Sequence, residues 1–444
     1  MKPHFPISVL CLSLVTTSCN KKPTEEPSPT GSRTIPAQTP AQTTTTETSS
    51  EQIPYTDPLP PQTAEEIAKD MGMTLDFSNP EDYMAKIVEI MQKAKNEDDA
   101  EAIIRIIGKR SLTKEQDARL RKLVAEQKLK IDPENPFEKI GDLQANKLAR
   151  WAINLQDSAP ILLDVKRDDK GKWKVDKVTL PMGKKLSDGE APSLPNANND
   201  ALNYTHTFLS RLLKQDFKNA KAMVDPSNIS DAKLAGMCII FEEAAYKIDK
   251  KKPLRSLFMR DTAAGFYANV VSSDGEKAAQ FSIITQRKKK GDSWSIYEIN
   301  LDKLLGDYAK RVSGGDVYYS PLLKNPLGGD TLVIYFEFDS EGLTPRTQRQ
   351  LSIVTRLLKL DPNKAITISG HTDAKGSKEY NENLSAQRAQ SVKNFFATHG
   401  VRPEQVITES HGSQHPRVSN TLTDGSDNPE GRRANRRTEI YLDF

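Results

Sequence analysis

Residues 378–397 contain neither proline nor glycine and carry an apolar pattern of helical period that stops at His399-Gly400. At about 100° per residue, Tyr380, Leu384, Ala389, Val392, Phe395 and Phe396 fall in one arc, the face such a helix would bury. Asn381 and Arg388 project into the middle of the same arc. Their spacing is two turns, roughly 10 Å along one face. An arginine on an inward face is costly unless a carboxylate meets it. Asp373 follows an expected strand, Ala365–Ser369, at the mouth of the helix. The pattern therefore predicts an Asp/Asn/Arg constellation facing a cleft.

The flanking text extends this pattern. Phe336-Glu-Phe-Asp339-Ser340, Leu343-Thr-Pro345 and Gly370-His-Thr-Asp373 with Gly376 come first. Tyr380-Asn381 with Leu384-Ser-Ala-Gln-Arg388-Ala follows, then Pro429-Glu-Gly431-Arg432-Arg-Ala-Asn435-Arg436-Arg437-Thr-Glu-Ile440. In this order the blocks resemble the OmpA-like peptidoglycan-binding domain, as in the Pal-like lipoprotein architecture, at the C-terminal end of the chain. The resemblance covers residues 330–444. It implies binding of the diamino acid, usually diaminopimelate, of the peptidoglycan stem peptide. Asp373 would pair with the ligand ammonium and Arg388 would hold its carboxylate in a two-bond fork, which suits guanidinium geometry. Asp339 and Asn381 would add hydrogen bonds. Of Arg436 and Arg437, Arg436 would reach the ligand and the other the surface. The segment Asn420–Pro429 is longer than the family pattern by about six residues and reads as a surface loop. It either rims the pocket or points away. Taken residue by residue, blander readings stand beside these: Asp373 as a turn or cap residue, an Arg388–Asp373 pair that is only structural, and Arg432–Arg437 as a solvated basic patch.

The fold of this segment follows from its pattern. Leu332, Ile334, Phe336 and Phe338 alternate as in a half-buried strand. Thr344-Pro345 opens a helix with an inward stripe of Leu351, Val354, Leu357 and Leu358, and Asp361-Pro362 stops it. Strands Ala365–Ser369, Gln405–Ser410 and Glu439–Leu442 complete a β-α-β-α-β-β sheet with its helices on one face.

Residues 1–19 read as an export signal: Lys2 and His4 lead a short apolar stretch, Phe5–Val15, too short for a span. Val15-Thr-Thr-Ser-Cys19 resembles a bacterial lipobox, with Thr16 where leucine is usual. The resemblance implies that Cys19 becomes an acylated N-terminus, with palmitate-type chains holding it to the periplasmic side of the outer membrane. Residues 20–62 are rich in Pro, Thr, Ser, Glu and Gln, and their composition predicts disorder. As flexible coil such a stretch spans roughly 35 Å, and extended about 130 Å. With Cys19 acylated, Cys238 is left as a buried core thiol and no internal disulfide forms.

Between linker and C-terminal domain the chain carries a faint repeat. Leu163–Leu180 and Ile284–Leu301 each read as strand, charged glycine turn, tryptophan and strand. Helical stretches precede both, at 81–94, 97–109 and 113–128, and at 200–214, 217–224 and 230–247. Two α+β domains are expected, 63–182 and 200–312, with linkers 183–199 and 313–329. They resemble nuclear-transport-factor-like or cystatin-like cone folds. Trp173 and Trp294 read as packing residues. The runs Lys250–Lys252 and Lys288–Lys290 read as turn charges.

A net charge of +3 does not argue for nucleic acid. Phosphate loops, serine-hydrolase elbows and His/Cys metal spacings are missing from the text, so no cofactor, metal or catalytic residue is expected. The sequence therefore predicts an α+β multidomain envelope lipoprotein that binds the peptidoglycan stem peptide and tethers the outer membrane to the wall. Its middle domains are free to dock envelope proteins. The alternative is an envelope enzyme or ligand carrier whose middle domains act while the C-terminal domain only localises it.

Overall fold

The computed structural model describes residues 77–181, 200–273, 275, 278–312, 320–324 and 330–442. The signal, Cys19, the 20–62 linker, the 183–199 linker and most of the 313–329 linker lie outside them. The described residues belong to one compact unit with mixed α and β structure throughout. No helix among them is long and apolar enough to cross a membrane.

Three capped helices come first: α1 (Pro80–Lys93), α2 (Glu97–Ile107) and α3 (Lys114–Ala125). Asn79 caps α1 ahead of its first-turn proline, and Asn96/Asp99 and Thr113/Gln116 form reciprocal capping boxes on the next two. Four antiparallel strands follow, β1 (Phe137–Gln144), β2 (Leu148–Ile153), β3 (Ile161–Arg167) and β4 (Trp173–Thr179). Met84, Ile87, Ile103, Ile104, Leu120, Trp151 and Ile153 fill the space between helices and strands.

The second repeat has α4 (Ala201–Leu213), α5 (Phe217–Lys221) and α6 (Asp231–Glu243), then β5 (Tyr246–Ile248), β6 (Leu254–Met259), β7 (Ala263–Ser272), β8 (Ala278–Gln286), β9 (Ser295–Asn300) and α7 (Asp302–Val312). Both expected hairpins are present, as β3–β4 and β8–β9. Trp173 and Trp294 are buried as packing residues, and Cys238 is buried with its thiol directed at the Leu212 carbonyl. The two strand sets join in one nine-stranded sheet through a parallel contact of β1 with β6, at Asp142 and Arg255. Gly141 makes that contact sterically feasible, since a Cβ there would lie 2.8 Å from the Leu254 carbonyl oxygen. A buried cluster reinforces it: Arg150 pairs with Asp164 at 2.6 and 2.8 Å and with Asp200, the cap of α4, at 2.5 Å.

The C-terminal sheet runs β10-β11-β14-β12-β13. Its strands are β10 (Leu322–Lys324), β11 (Asp330–Tyr335), β12 (Ile366–Gly370), β13 (Val406–Ser410) and β14 (Arg437–Tyr441). Its helices are α8 (Pro345–Leu358), α9 (Lys378–Thr398) and α10 (Pro429–Asn435). Strand β14 lies between β11 and β12, antiparallel to both, and puts Leu332, Ile440 and Ile368 in one row. The expected β-α-β-α-β-β order is observed with two additions. The short α10 precedes the last strand, and β10 forms within the expected linker.

This sheet does not stand alone. Phe208, Ile240 and Phe266 of the second repeat share one apolar core with Leu332, Val354, Ile368 and Phe396. A polar hub closes the same junction. Glu243, at the end of α6, accepts from Arg346 at 2.8 and 2.9 Å, from Gln350 at 2.7 Å and from the Tyr308 hydroxyl.

Candidate functional site

Ser377 caps α9 and its side chain accepts from the Tyr380 amide. The helix then carries Asn381, Leu384 and Arg388 up one side. At the end of β12, Gly370 meets the helix backbone so closely that a Cβ would lie 2.0 Å from the Ser385 carbonyl oxygen. The chain after Gly370, His371-Thr372-Asp373, is thereby set against Asn381 and Arg388. From the other side β11 ends at Tyr335, and the chain turns through Asp339 with φ +54°.

These segments enclose a cavity of about 360 Å³ lined by Phe338, Asp339, Thr372, Asp373, Lys375, Gly376, Tyr380, Asn381, Leu384, Arg388 and Arg436. All five expected binding residues, Asp339, Asp373, Asn381, Arg388 and Arg436, are on that list. The floor is buried and charged, with Arg388 fully covered and Asn381 and Asp373 2% and 3% exposed. The rim is aromatic and open: Phe338 is 58% and Tyr380 46% exposed. Both had read as inward-facing residues. The strand ends before Phe338, and Tyr380 lies in the first turn of α9 with its hydroxyl on the Asp339 carboxylate.

The arginine is satisfied differently from the expectation. No carboxylate among the described residues is one of its hydrogen-bond partners. Nε donates to the Ser340 carbonyl at 2.9 Å, Nη1 to His371 at 3.0 Å and Nη2 to Glu337 at 3.2 Å, and the guanidinium stands 5.3 Å from the centre of the Phe336 ring. Three main-chain carbonyls orient the fork without neutralising it. Burial, with Arg436 nearby, pushes its pKa down to about 10, so it remains a cation at neutral pH.

Asp373 combines the turn role with a charge role. Oδ1 accepts from the Lys375 amide at 3.0 Å, and Oδ2 accepts from Arg436 Nη1 at 2.9 Å. Its cation is thus Arg436, so the structural Arg388–Asp373 pair is not formed. Arg437 does not reach the surface. It is 4% exposed and pairs with Glu439 at 2.6 Å on the opposite face of the sheet. Lys375 was not anticipated at the cavity, although it stands two residues from Asp373 in the same turn. The Asn420–Pro429 loop lines none of the cavity but touches its back, where the Asn420 side chain accepts from the Ala374 amide at 3.3 Å.

Behind the cavity His371 is 4% exposed and stacks on His411 at 5.1 Å. Neither ring nitrogen is hydrogen bonded, and Nε2 lies 4.0 Å from Glu439. Burial, then the neighbouring Arg437, pushes its pKa down to about 3. An unfolded histidine titrates near 6.5, so between these values the unfolded chain binds a proton that the native chain refuses. Stability from this group is present above pH 6.5 and is lost as pH falls, by up to about 1.4 kcal/mol per pH unit. Urea unfolding between pH 7 and pH 4 should have a steeper pH dependence for wild type than for His371→Phe. Equal slopes would contradict this.

A mixed sheet with helices on one face and a charged cavity at its strand ends defines an α+β domain with a candidate binding site. Residues 335–430 match the OmpA family, so the C-terminal part of the chain contains an OmpA-like domain. "Peptidoglycan-binding protein ArfA" of Mycobacterium bovis is 38% identical over 109 residues, 24% of this chain and 32% of that protein. "Peptidoglycan-associated lipoprotein" of Pseudomonas putida is 37% identical over 82 residues, 18% of this chain and 49% of that one. "Outer membrane protein A" of Buchnera aphidicola is 31% identical over 138 residues, 31% and 37% of the two chains. The solved peptidoglycan-associated lipoprotein of Burkholderia pseudomallei aligns with 29% identity and a TM-score of 0.22, over 24% of this chain and 87% of that one. The chain thus spans at most about half the length of these three curated relatives.

Proposed function

We propose that this protein binds peptidoglycan non-covalently through the diamino acid of the stem peptide and tethers the outer membrane to the wall. The observation that carries the reading is Arg388, a fully buried cation held by three carbonyls at the floor of an open cavity. Such a group has its orientation fixed before any ligand arrives and has no hydrogen-bonded counter-charge among the described residues. A ligand carboxylate supplies one. Asp373 offers the opposite charge to an ammonium, and Asp339 and Asn381 offer polar contacts at the side. A zwitterionic amino-acid terminus matches that pattern, and the names of the relatives in the wall-binding group agree with it. The pocket's part is binding rather than catalysis.

The tether reading rests on the order read from the sequence: a lipobox-like Cys19 that would carry acyl chains, a long polar linker, the two repeats and then the wall domain. Anchoring confines the domain near the wall and raises its effective concentration, so one modest pocket suffices. The interior of the second repeat is packed with Phe208, Phe266, Ile283 and Tyr308, which supports a structural rather than a ligand-carrying role.

The test is sedimentation of the full-length protein with insoluble peptidoglycan in detergent. Wild type should pellet, and Asp373→Ala should bind at least about tenfold more weakly, as expected on losing a charged hydrogen-bond partner. Wild type left in the supernatant would overturn the reading.

A further inference from the structure

We propose that Asp427, on the loop between Asn420 and Pro429, is a positioning residue that holds Arg432 away from Asp373 and so keeps that carboxylate open to a cationic ligand group. This rests on the peptidoglycan reading of the cavity. Arg432 meets Asp427 through two parallel bonds, Nε to Oδ1 at 2.8 Å and Nη2 to Oδ2 at 2.6 Å. Its remaining terminal nitrogen, Nη1, stops 3.7 Å from Asp373 Oδ2. That oxygen already accepts from Arg436 at 2.9 Å. The ligand's ammonium therefore competes with one close cation and one held at a distance. The Arg432 side chain is only 12% exposed, and Asp373 is the other carboxylate it faces. With the Asp427 charge gone, closing the 3.7 Å gap is the nearest way to regain a partner. Asp373 would then be neutralised from two sides.

The loop is built to keep Asp427 in place. Thr421 and Asp427 form a β-bridge, and the Asn428 amide donates to the Asn420 carbonyl at 3.0 Å. The Asn420 side-chain oxygen takes the Ala374 amide and, at 3.0 Å, the Asn435 side chain. The base of the loop is thus stitched to the strand-end turn that carries Asp373. The Arg432 guanidinium holds the Asp427 carboxyl below the usual carboxylate range, which keeps this pair charged in mildly acidic conditions.

The experiment is a double-mutant cycle on the full-length protein, again with insoluble peptidoglycan: wild type, Asp427→Asn, Arg432→Gln and the pair together. Asparagine keeps the size of the side chain and the backbone bridge. Asp427→Asn should weaken binding by about fivefold at low salt, the scale of a roughly 1 kcal/mol tightening of one nearby cation's hold on the Asp373 carboxylate. The deficit should narrow as sodium chloride is raised. In the Arg432→Gln background the same substitution should cost nothing. Two results would overturn the proposal: Asp427→Asn binding as wild type does, or losing the same factor when Arg432 is already glutamine. Failure of wild type to pellet would instead remove the reading on which the proposal rests.

Discussion

Arg388→Lys should leave the protein in the supernatant with peptidoglycan, with binding weakened by about a hundredfold or more. The charge survives this substitution, but the geometry does not. A guanidinium has five N–H donors in a fixed plane. Three are committed to the carbonyls of Ser340, His371 and Glu337, which leaves two for a ligand carboxylate. Lysine has three donors on one nitrogen and cannot serve three separated carbonyls and a ligand together. Losing a bidentate charged contact costs about 3 kcal/mol, which gives the hundredfold. Carbonyls left unpaired also cost about 1–3 kcal/mol each, so the variant should melt lower as well. Sedimentation should therefore be run well below its melting point, with circular dichroism to confirm folding. A folded Arg388→Lys protein that pellets like wild type would sink the assignment of this arginine to the ligand.

The residues of this pocket were legible because they break a local rule. A helix that puts arginine and asparagine in its apolar arc states that something polar lies opposite, and the distances now identify it. The partners themselves were not legible. Three of them are main-chain oxygens of residues 337, 340 and 371, and a carbonyl has no signature in sequence. Phe338 and Tyr380 misled for a related reason. Hydrophobicity marks a residue as worth burying, but where a strand ends decides whether it is buried. Here the chain leaves the sheet at Tyr335 and turns at Asp339 with positive φ. That leaves Phe338 at the mouth of the cavity.

The middle of the chain divides in the same way. Helices at 80–93, 97–107 and 114–125 fall within about three residues of the expected stretches 81–94, 97–109 and 113–128. Strands β1 and β2 were not visible. Register shifts at Lys139/Gly141 and Asp142/Gln144 break the alternation in β1, and β2 is buried on nearly every residue. The Glu243 hub with Tyr308, Arg346 and Gln350 joins residues 65, 103 and 107 positions apart. Such pairings are set by the packing of three helices and have no local pattern.

Gly370→Ala should lower the thermal midpoint by several degrees and weaken peptidoglycan binding at once. An alanine normally gains up to about 1 kcal/mol over glycine by restricting the unfolded chain. At this position a methyl group would lie 2.0 Å from the Ser385 carbonyl oxygen and 2.8 Å from its carbonyl carbon. Those atoms are helix backbone and cannot rotate aside as a side-chain tip would. Either β12 or α9 must shift by about 1.4 Å to reach ordinary contact from 2.0 Å, and overpacking of this kind costs about 1–3 kcal/mol or more. The functional effect has the same cause. Asn381 and Arg388 flank Ser385 on α9, while His371, whose carbonyl orients Arg388, is the first residue after the strand. Prising the two apart stretches that 3.0 Å bond and widens the cavity floor. A melting curve that overlays wild type would show that the contact relaxes without cost, and the glycine would then be incidental. A lowered midpoint with unchanged binding at low temperature would separate the close approach from the pocket. Loss of both is the outcome expected if one glycine fixes the distance on which fold and ligand site depend.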